Sequence, residues 1–409
     1  MNFRRLAAAA ALFSICSLAL GTMPGAAQSS DTINFGAALS LTGRFSREGR
    51  LTQQGYDLWV DYVNSHGGMK VGNKTYKVAI RYYDDETNEQ TAARLVEKLI
   101  AEDHINFILG PYGSAASFST AAVVDRHKIP MVEGNGPAAA IFNQGYHYIF
   151  AVLAPANRYL EGVLTMAEDL KPKPHTVAIT NANDIFSVEV AQGAADFAKA
   201  HGFNVVYNNK YPTNVTDFSP IITQVKAANP DIFLNAGRLE EALLATKGLK
   251  EQNFSPRLAA YSVGPDTPDF RKALGKDANY VFGAAQWSTV VKYQGVPGFY
   301  RTAPEYAKAF QAKYGELPEY HNAESTAACL AFQYAMQKAG SLDTEKVRDA
   351  LAALDVMTFY GQLKFDNRGL NVYKPMVVNQ IQKGELVTVW PSGVANAKPM
   401  YPEPPWSTR

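Results

Sequence analysis

The chain has 409 residues, 47% of them hydrophobic and 19% charged, so it can bury two separate cores rather than one. Its 39 Lys and Arg against 38 Asp and Glu leave a formal charge of +1, which excludes the electrostatic footprint of a nucleic-acid or anionic-membrane binder.

At the N-terminus Arg4 and Arg5 precede an apolar run to Leu20 and then the small residues Gly25, Ala26 and Ala27. This is the pattern of a secretory signal cleaved after about Ala27, so residues 1–27 are read as a signal peptide. A membrane anchor is the competing reading, but the run is short and a cleavage site follows it. Cys16 fits a lipoprotein attachment site poorly, with Ser14 and Ile15 before it. The exported chain then keeps one thiol, Cys329, in an apolar helical stretch where it serves as a small hydrophobe, and it has no internal disulfide. No later stretch is long and apolar enough to span a bilayer.

From Ile33 onward, strand-like and helix-like segments alternate. Ile33–Leu39 reads as a strand, Leu51–Ser65 as a helix stopped by Gly67 and Gly68, Val78–Tyr83 as a strand and Asn88–Glu102 as a helix. Ile105–Leu109 is a short apolar strand. Gly110, Pro111 and Gly113 then turn the chain into a helix from Ser114 to about His127, and Met131–Val132 is a fourth strand. The pattern restarts after Ala151, with strands at 176–180, 205–211, 232–235 and 257–261 separated by helices. A further strand at 284–287, three helices between 304 and 353, and strands at 361–366, 376–383 and 385–389 complete it; beyond Pro391 the tail is Pro-rich and irregular. Such order predicts α/β lobes built on parallel sheets, with ligand loops at the carboxyl ends of the strands. Those loops are 40–48, 112–114, 135–137, 181–186, Arg238 and 262–265.

Catalytic signatures are missing. The seven histidines show no H-E-x-x-H or paired Cys/His spacing, so no metal and no cofactor is expected, and there is no nucleophile elbow, P-loop or dinucleotide fingerprint. Asp84-Asp85-Glu86 reads as an acidic capping turn rather than a metal site. A hydrolase using Ser114 needs a His and a carboxylate converging on it, which the sequence does not suggest. A non-enzymatic binder is the expectation.

The motifs L-S-L-T-G at 39–43, N-S-H-G-G at 64–68, Y-D-D-E at 83–86, I-L-G-P-Y-G-S at 108–114 and I-P-M-V at 129–132 resemble the periplasmic leucine/isoleucine/valine-binding proteins. The likeness runs from about Ile33 to Pro391. It implies two Rossmann-like lobes joined by a three-crossing hinge, the type I periplasmic binding protein fold, with a ligand cleft between the lobes. Lobe 1 is expected at 28–150 with 284–359, lobe 2 at 151–283 with 360–390, and the tail at 391–409, with crossings near Ala151, Gly283 and Tyr360. The implied function is capture of a small organic carboxylate, first a branched-chain or other hydrophobic amino acid, by a periplasmic monomer that delivers it to the membrane permease subunits of an ABC importer.

Carried over residue by residue, the family's ligand serine falls at Ser114. A threonine falls at Pro137, which leaves the backbone of Asn135 and Gly136. Two tyrosines fall at Phe186 and Arg238, the acid that receives the ligand ammonium falls near Val263, and an aromatic falls at Glu48. With Tyr112, the expected ligand residues are therefore Tyr112, Ser114, Asn135, Gly136, Phe186, Arg238 and Glu48. Arg238 offers a planar fork for a carboxylate and Phe186 a flat wall, while Glu48 stands in for the missing ammonium acceptor. The plain alternatives are an Arg238 paired with Glu240 or Glu241 and a Phe186 that belongs to the core. Because the amino-acid clamp is rewritten, a non-amino aromatic or aliphatic acid, or a urea- or amide-type solute, competes as ligand. A ligand-sensing domain is the remaining rival.

Overall fold

A computed structural model describes residues 31–409; the signal-peptide reading, residues 1–27, lies outside them. The chain opens with β1 (Thr32–Leu39), α1 (Ser46–Ser65), β2 (Met69–Val71), β3 (Lys74–Asp84), α2 (Glu89–Ala101), β4 (Ile108–Leu109), α3 (Ser114–His127), β5 (Met131–Glu133), α4 (Ala139–Phe142) and β6 (Ile149–Ala151). These strands form one sheet in the order β2-β3-β1-β4-β5-β6, parallel apart from the β2–β3 hairpin. Phe35, Ala37, Ala38 and Leu39 of β1 are all buried, as a central strand covered on both faces requires. Helix α1 lays Tyr56, Trp59 and Val63 against it, and Trp59 meets Phe35 edge-on at 5.4 Å.

The second sheet takes α5 (Glu161–Glu168), β7 (Thr176–Ala182), α6 (Ile185–Ala200), β8 (Asn204–Tyr211), α7 (Ser219–Ala228), β9 (Ile232–Ala236), α8 (Leu239–Glu251), β10 (Leu258–Tyr261), α9 (Pro268–Leu274) and β11 (Phe282–Ala285). The chain then returns to the first lobe for α10 (Ala303–Tyr314), α11 (Tyr320–Ala339), α12 (Thr344–Ala352) and the hairpin β12 (Asp355–Thr358) and β13 (Gly361–Lys364). It ends in the second sheet with β14 (Val377–Gln382) and β15 (Glu385–Trp390), whose order is β15-β14-β11-β10-β9-β7-β8. Only β14 is reversed there, antiparallel to both β11 and β15.

One expectation changes and two are extended. Strand β6 was not read from the sequence, because its three residues carry no alternation. The hairpin β12–β13 buries Leu363, and Phe365 packs 5.2 Å from Phe150, so residues 360–370 join the first core rather than lobe 2. The third crossing therefore lies at about 371–376, not near Tyr360. Third, the tail beyond Pro391 is irregular yet docked: Trp406 Nε1 donates to Phe254 O at 2.8 Å, and Glu403 and Arg409 form a buried pair.

The three crossings are tied to one another through Gln286. Its side chain accepts from Ala154 N at 2.9 Å and donates to Ala154 O at 3.1 Å, while its own carbonyl accepts from the buried Lys374 ammonium. Asn371 also donates to Val152 O at 3.2 Å.

Candidate functional site

Both sheets reverse their winding once. In the first sheet the strand order passes from β3 through β1 to β4, and in the second from β8 through β7 to β9. The crevice at such a switch point, beyond the carboxyl ends of the strands, is where open α/β sheets hold ligands. The loop after β4 carries Tyr112 and Ser114, the loop after β7 leads to Phe186, and the residue that ends the loop after β9 is Arg238. The two crevices face each other.

On the first wall Tyr56 donates to Gly110 O at 2.9 Å, and Gly113 N donates to Asn135 O at 3.2 Å, which locks the β4 and β5 loops together. Ser114 Oγ accepts from Ala138 N at 3.2 Å and sits at the first turn of α3, where backbone N–H groups have no carbonyl a turn earlier to bond. Asn135 Nδ2 donates to Ser325 Oγ at 3.0 Å, but its buried Oδ1 has no partner. Gly136 is required by space, since a Cβ there would lie 2.2 Å from Ser117 Oγ. Beneath both loops Glu133 is fully buried. Burial pushes its carboxyl up to about 8 against the lowering pull of Ser117 and the Asn135 N–H, and no donor reaches either oxygen in good geometry.

On the second wall Asp184 caps α6 by accepting from Phe186 N at 3.1 Å and Ser187 N at 3.2 Å. Phe186 meets Tyr159 edge-on at 5.1 Å. It is a core residue and lines the cavity as well, so the two readings of it coincide. The Arg238 guanidinium lies over Phe45, Phe186 and Tyr112, with its central carbon 4.8, 5.1 and 5.5 Å from the ring centroids. It donates to Tyr112 Oη at 3.3 Å and stands 3.7 Å from Asp184. The side-chain pairing of Arg238 with Glu240 or Glu241 does not form. Those two acids hold Arg44 of the first lobe instead, while Glu241 also accepts from the Arg238 backbone N–H at 2.9 Å.

Tyr112, Ser114, Asn135, Phe186 and Arg238 line one interlobe cavity, with Gly136 between two of its lining residues. Glu48 does not line it. Its carboxylate lies 3.4 Å from Arg47 at the start of α1, so the expected ammonium acceptor is not in place there. Sequence reasoning missed Tyr159, Tyr320, His321 and Glu324, which line it together with Pro137, Leu153 and Val263. Tyr320, His321 and Glu324 come from the start of α11, a helix N-terminus rather than a strand end. The box in which Glu319 N donates to Asn322 Oδ1 at 3.0 Å, an E-x-x-N pattern, was the available signal that α11 starts at Tyr320 and not Ala323.

The cavity itself is about 20 Å³, room for roughly one water. Arg238 also lines an outer cavity of about 380 Å³ that includes Arg44, Phe45 and Asp184. The guanidinium and its rings thus partition the cleft. Glu324, 1% exposed, has an Oε2 with no hydrogen-bond partner, and burial holds its carboxyl well above the usual range despite the opposing Lys374 charge. As for a hydrolytic triad, Ser114 makes no hydrogen bond to His321, whose Nδ1 lies 3.1 Å from Glu319 Oε2. Among the described residues no group of three metal-binding side chains occurs, and no helix is long and apolar enough to cross a membrane.

A family model described as "Periplasmic binding protein" matches residues 32–385. The chain is similar to "Leu/Ile/Val-binding protein homolog 8" of Brucella abortus, 27% identical over 385 residues and covering 90% of this chain and 92% of that one. Among solved structures it resembles the branched-chain amino acid transporter substrate binding protein LivJ of Streptococcus pneumoniae in complex with isoleucine. The TM-score is 0.76 at 19% identity, covering 91% of this chain and all of that one. It also resembles a solute binding protein of an ABC transporter from R. palustris in complex with benzoate, with TM-score 0.72, 16% identity and coverage of 88% and 95%.

Proposed function

The chain belongs to the periplasmic binding protein family, and from that premise we propose that it is the exported, non-enzymatic solute-binding component of an ABC importer. It captures a small organic carboxylate between its lobes, first a branched-chain or other hydrophobic amino acid. The observation that carries this reading is the convergence of both switch-point loops on one cavity that holds a largely enclosed arginine and a helix N-terminus, two features suited to a carboxylate. Similarity to Leu/Ile/Val-binding relatives supports the amino-acid class.

A second reading, a non-amino aromatic acid, is favoured by the ring-rich lining of Tyr112, Tyr159, Phe186 and Tyr320, and by the benzoate-bound neighbour. Either solute needs more room than the closed cavity offers, so entry requires the lobes to part. Binding can then shift the open-closed balance only through contacts improved on closure.

The mature protein works as a periplasmic monomer, after cleavage near Ala27, and hands its solute to permease subunits. Thermal-shift screening of the purified mature chain against hydrophobic amino acids, aromatic acids, short-chain acids and amides tests this, because a ligand of the native state raises its apparent stability. Stabilisation by amides alone, or turnover of an ester or amide that depends on Ser114, would overturn it.

A further inference from the structure

We infer that Glu324, with Asn135 beside it, is the receptor for a protonated amine on the ligand, so that this cleft selects an amino acid over the matching desamino acid. The inference rests on the carboxylate-binding reading above and deepens it. Two buried acceptor atoms, Glu324 Oε2 and Asn135 Oδ1, have no donor from the protein, and both residues line the same cavity as Arg238 and Ser114. They are neighbours by construction. The α11 backbone at Glu324 packs on Gly134, where a Cβ would sit 3.0 Å from Glu324 O, and the next residue, Ser325, holds the Asn135 amide.

A buried acceptor left unpaired is costly, and an ammonium group brings three donors together with the charge that would let the Glu324 carboxyl, kept neutral by burial, ionise. The other candidate partners are engaged. Lys374 donates to the carbonyls of Gln286 and Pro375, and His321 pairs with Glu319. Glu48 is held by Arg47 outside the cavity, and Val263, at the position where the resemblance puts an acid, offers only an apolar side chain. The arrangement therefore has a carboxylate-binding pole, the Arg238 cation and the α3 N-terminus at Ser114, and an acceptor pole at Glu324 and Asn135, which matches the two ends of a zwitterion.

Calorimetry with leucine against 4-methylpentanoate, and phenylalanine against 3-phenylpropionate, tests the assignment in wild type, Glu324→Gln, Asn135→Ala and Arg238→Ala. In at least one pair the wild type is expected to bind the amino acid about tenfold tighter or more. Glu324→Gln, a neutral isostere, should erase most of that preference while leaving the desamino affinity within about twofold, and Asn135→Ala should erase part of it. Arg238→Ala should weaken both members of a pair. Desamino acids binding as tightly as amino acids, or an unchanged preference in folded Glu324→Gln, overturns the amine assignment alone. Failure of all four acids to bind wild type, or an Arg238→Ala that leaves both members untouched, overturns the carboxylate reading on which it rests.

Discussion

Closure of the cleft is braced at its rim by arginines that reach from one lobe to the other, and the strength of this brace can be worked out. Arg44, on the loop after β1, places Nε 3.2 Å from Glu240 Oε2 and bonds Glu241 through Nη2, both acids lying at the start of α8. Arg47 similarly bonds Asp269 of α9. Glu240 is 65% exposed, so its pair with Arg44 contributes only about 0.2–1 kcal/mol. Glu241 is 2% exposed and its charge-assisted bond would be worth about 1.5–3 kcal/mol if dry, less here because Arg44 is 32% exposed.

Arg44→Gln should therefore weaken the closed state by about 1–2 kcal/mol, roughly a five- to thirtyfold fall in the closed-to-open ratio. Folding itself should suffer little, because Glu241 keeps its cap bond to the Arg238 backbone. Small-angle scattering of the unliganded variant should show a larger radius of gyration than wild type at low salt, a difference that shrinks as salt screens the wild-type brace. A bound solute should be held correspondingly less tightly. If the scattering envelope and the affinity are both unchanged, the arginine brace does not hold the lobes together and the reasoning fails.

Arg238→Ala should cost a carboxylate ligand about 1.5–3 kcal/mol, ten- to a hundredfold in Kd by calorimetry, and an equal Kd would count against the carboxylate-binding pole. Glu133 has a folded carboxyl raised to about 8, so its neutral form is stabilising at low pH and that contribution is lost as pH rises from about 4.5 through 8. Glu133→Gln should accordingly match wild type near pH 4.5 and exceed its Tm increasingly up to pH 8; a pH-independent difference would sink this assignment. Arg409→Ala leaves Glu403 buried without its partner and should destabilise by about 3 kcal/mol, a fall in Tm of roughly 6–12 °C. Since the Glu403 carboxyl is itself pushed up to about 7 by burial, the loss should be larger at pH 8 than at pH 6, and thermal unfolding at both values checks it.

The β-α alternation was legible because the central strands of the two sheets, such as β1, β4, β9 and β10, are buried apolar runs between polar helix faces, and the strand-end rule then pointed to Tyr112, Ser114, Asn135, Phe186 and Arg238. What that rule cannot reach is a helix brought in from 320 residues along the chain: His321 and Glu324 enter the cleft because α11 packs against α1 and the β5 loop. Glu48 shows the opposite error. A charged residue at a ligand position by sequence offset was turned to its neighbour Arg47, and only packing decides such a choice. Strand β13, expected in lobe 2, faces the first core for a similar reason, since four residues of apolar alternation do not say which of two cores they face.

Gln286 bonds across to the first crossing and its carbonyl takes the Lys374 ammonium from the third, so three backbone segments that join the lobes are fastened side by side. Separate threads would let the lobes slide, shear or splay along many directions. Lashed at one level, they behave as a flat torsion bar, stiff to stretching and sideways bending and compliant to rotation about its own plane. Each lobe then swings through one arc, and the residues that meet at the end of that arc are the same on every stroke. Cutting the lashing with Gln286→Ala would leave the walls of the cleft intact while making their meeting imprecise, which shows as a broadened distribution of interlobe distances rather than a shifted mean.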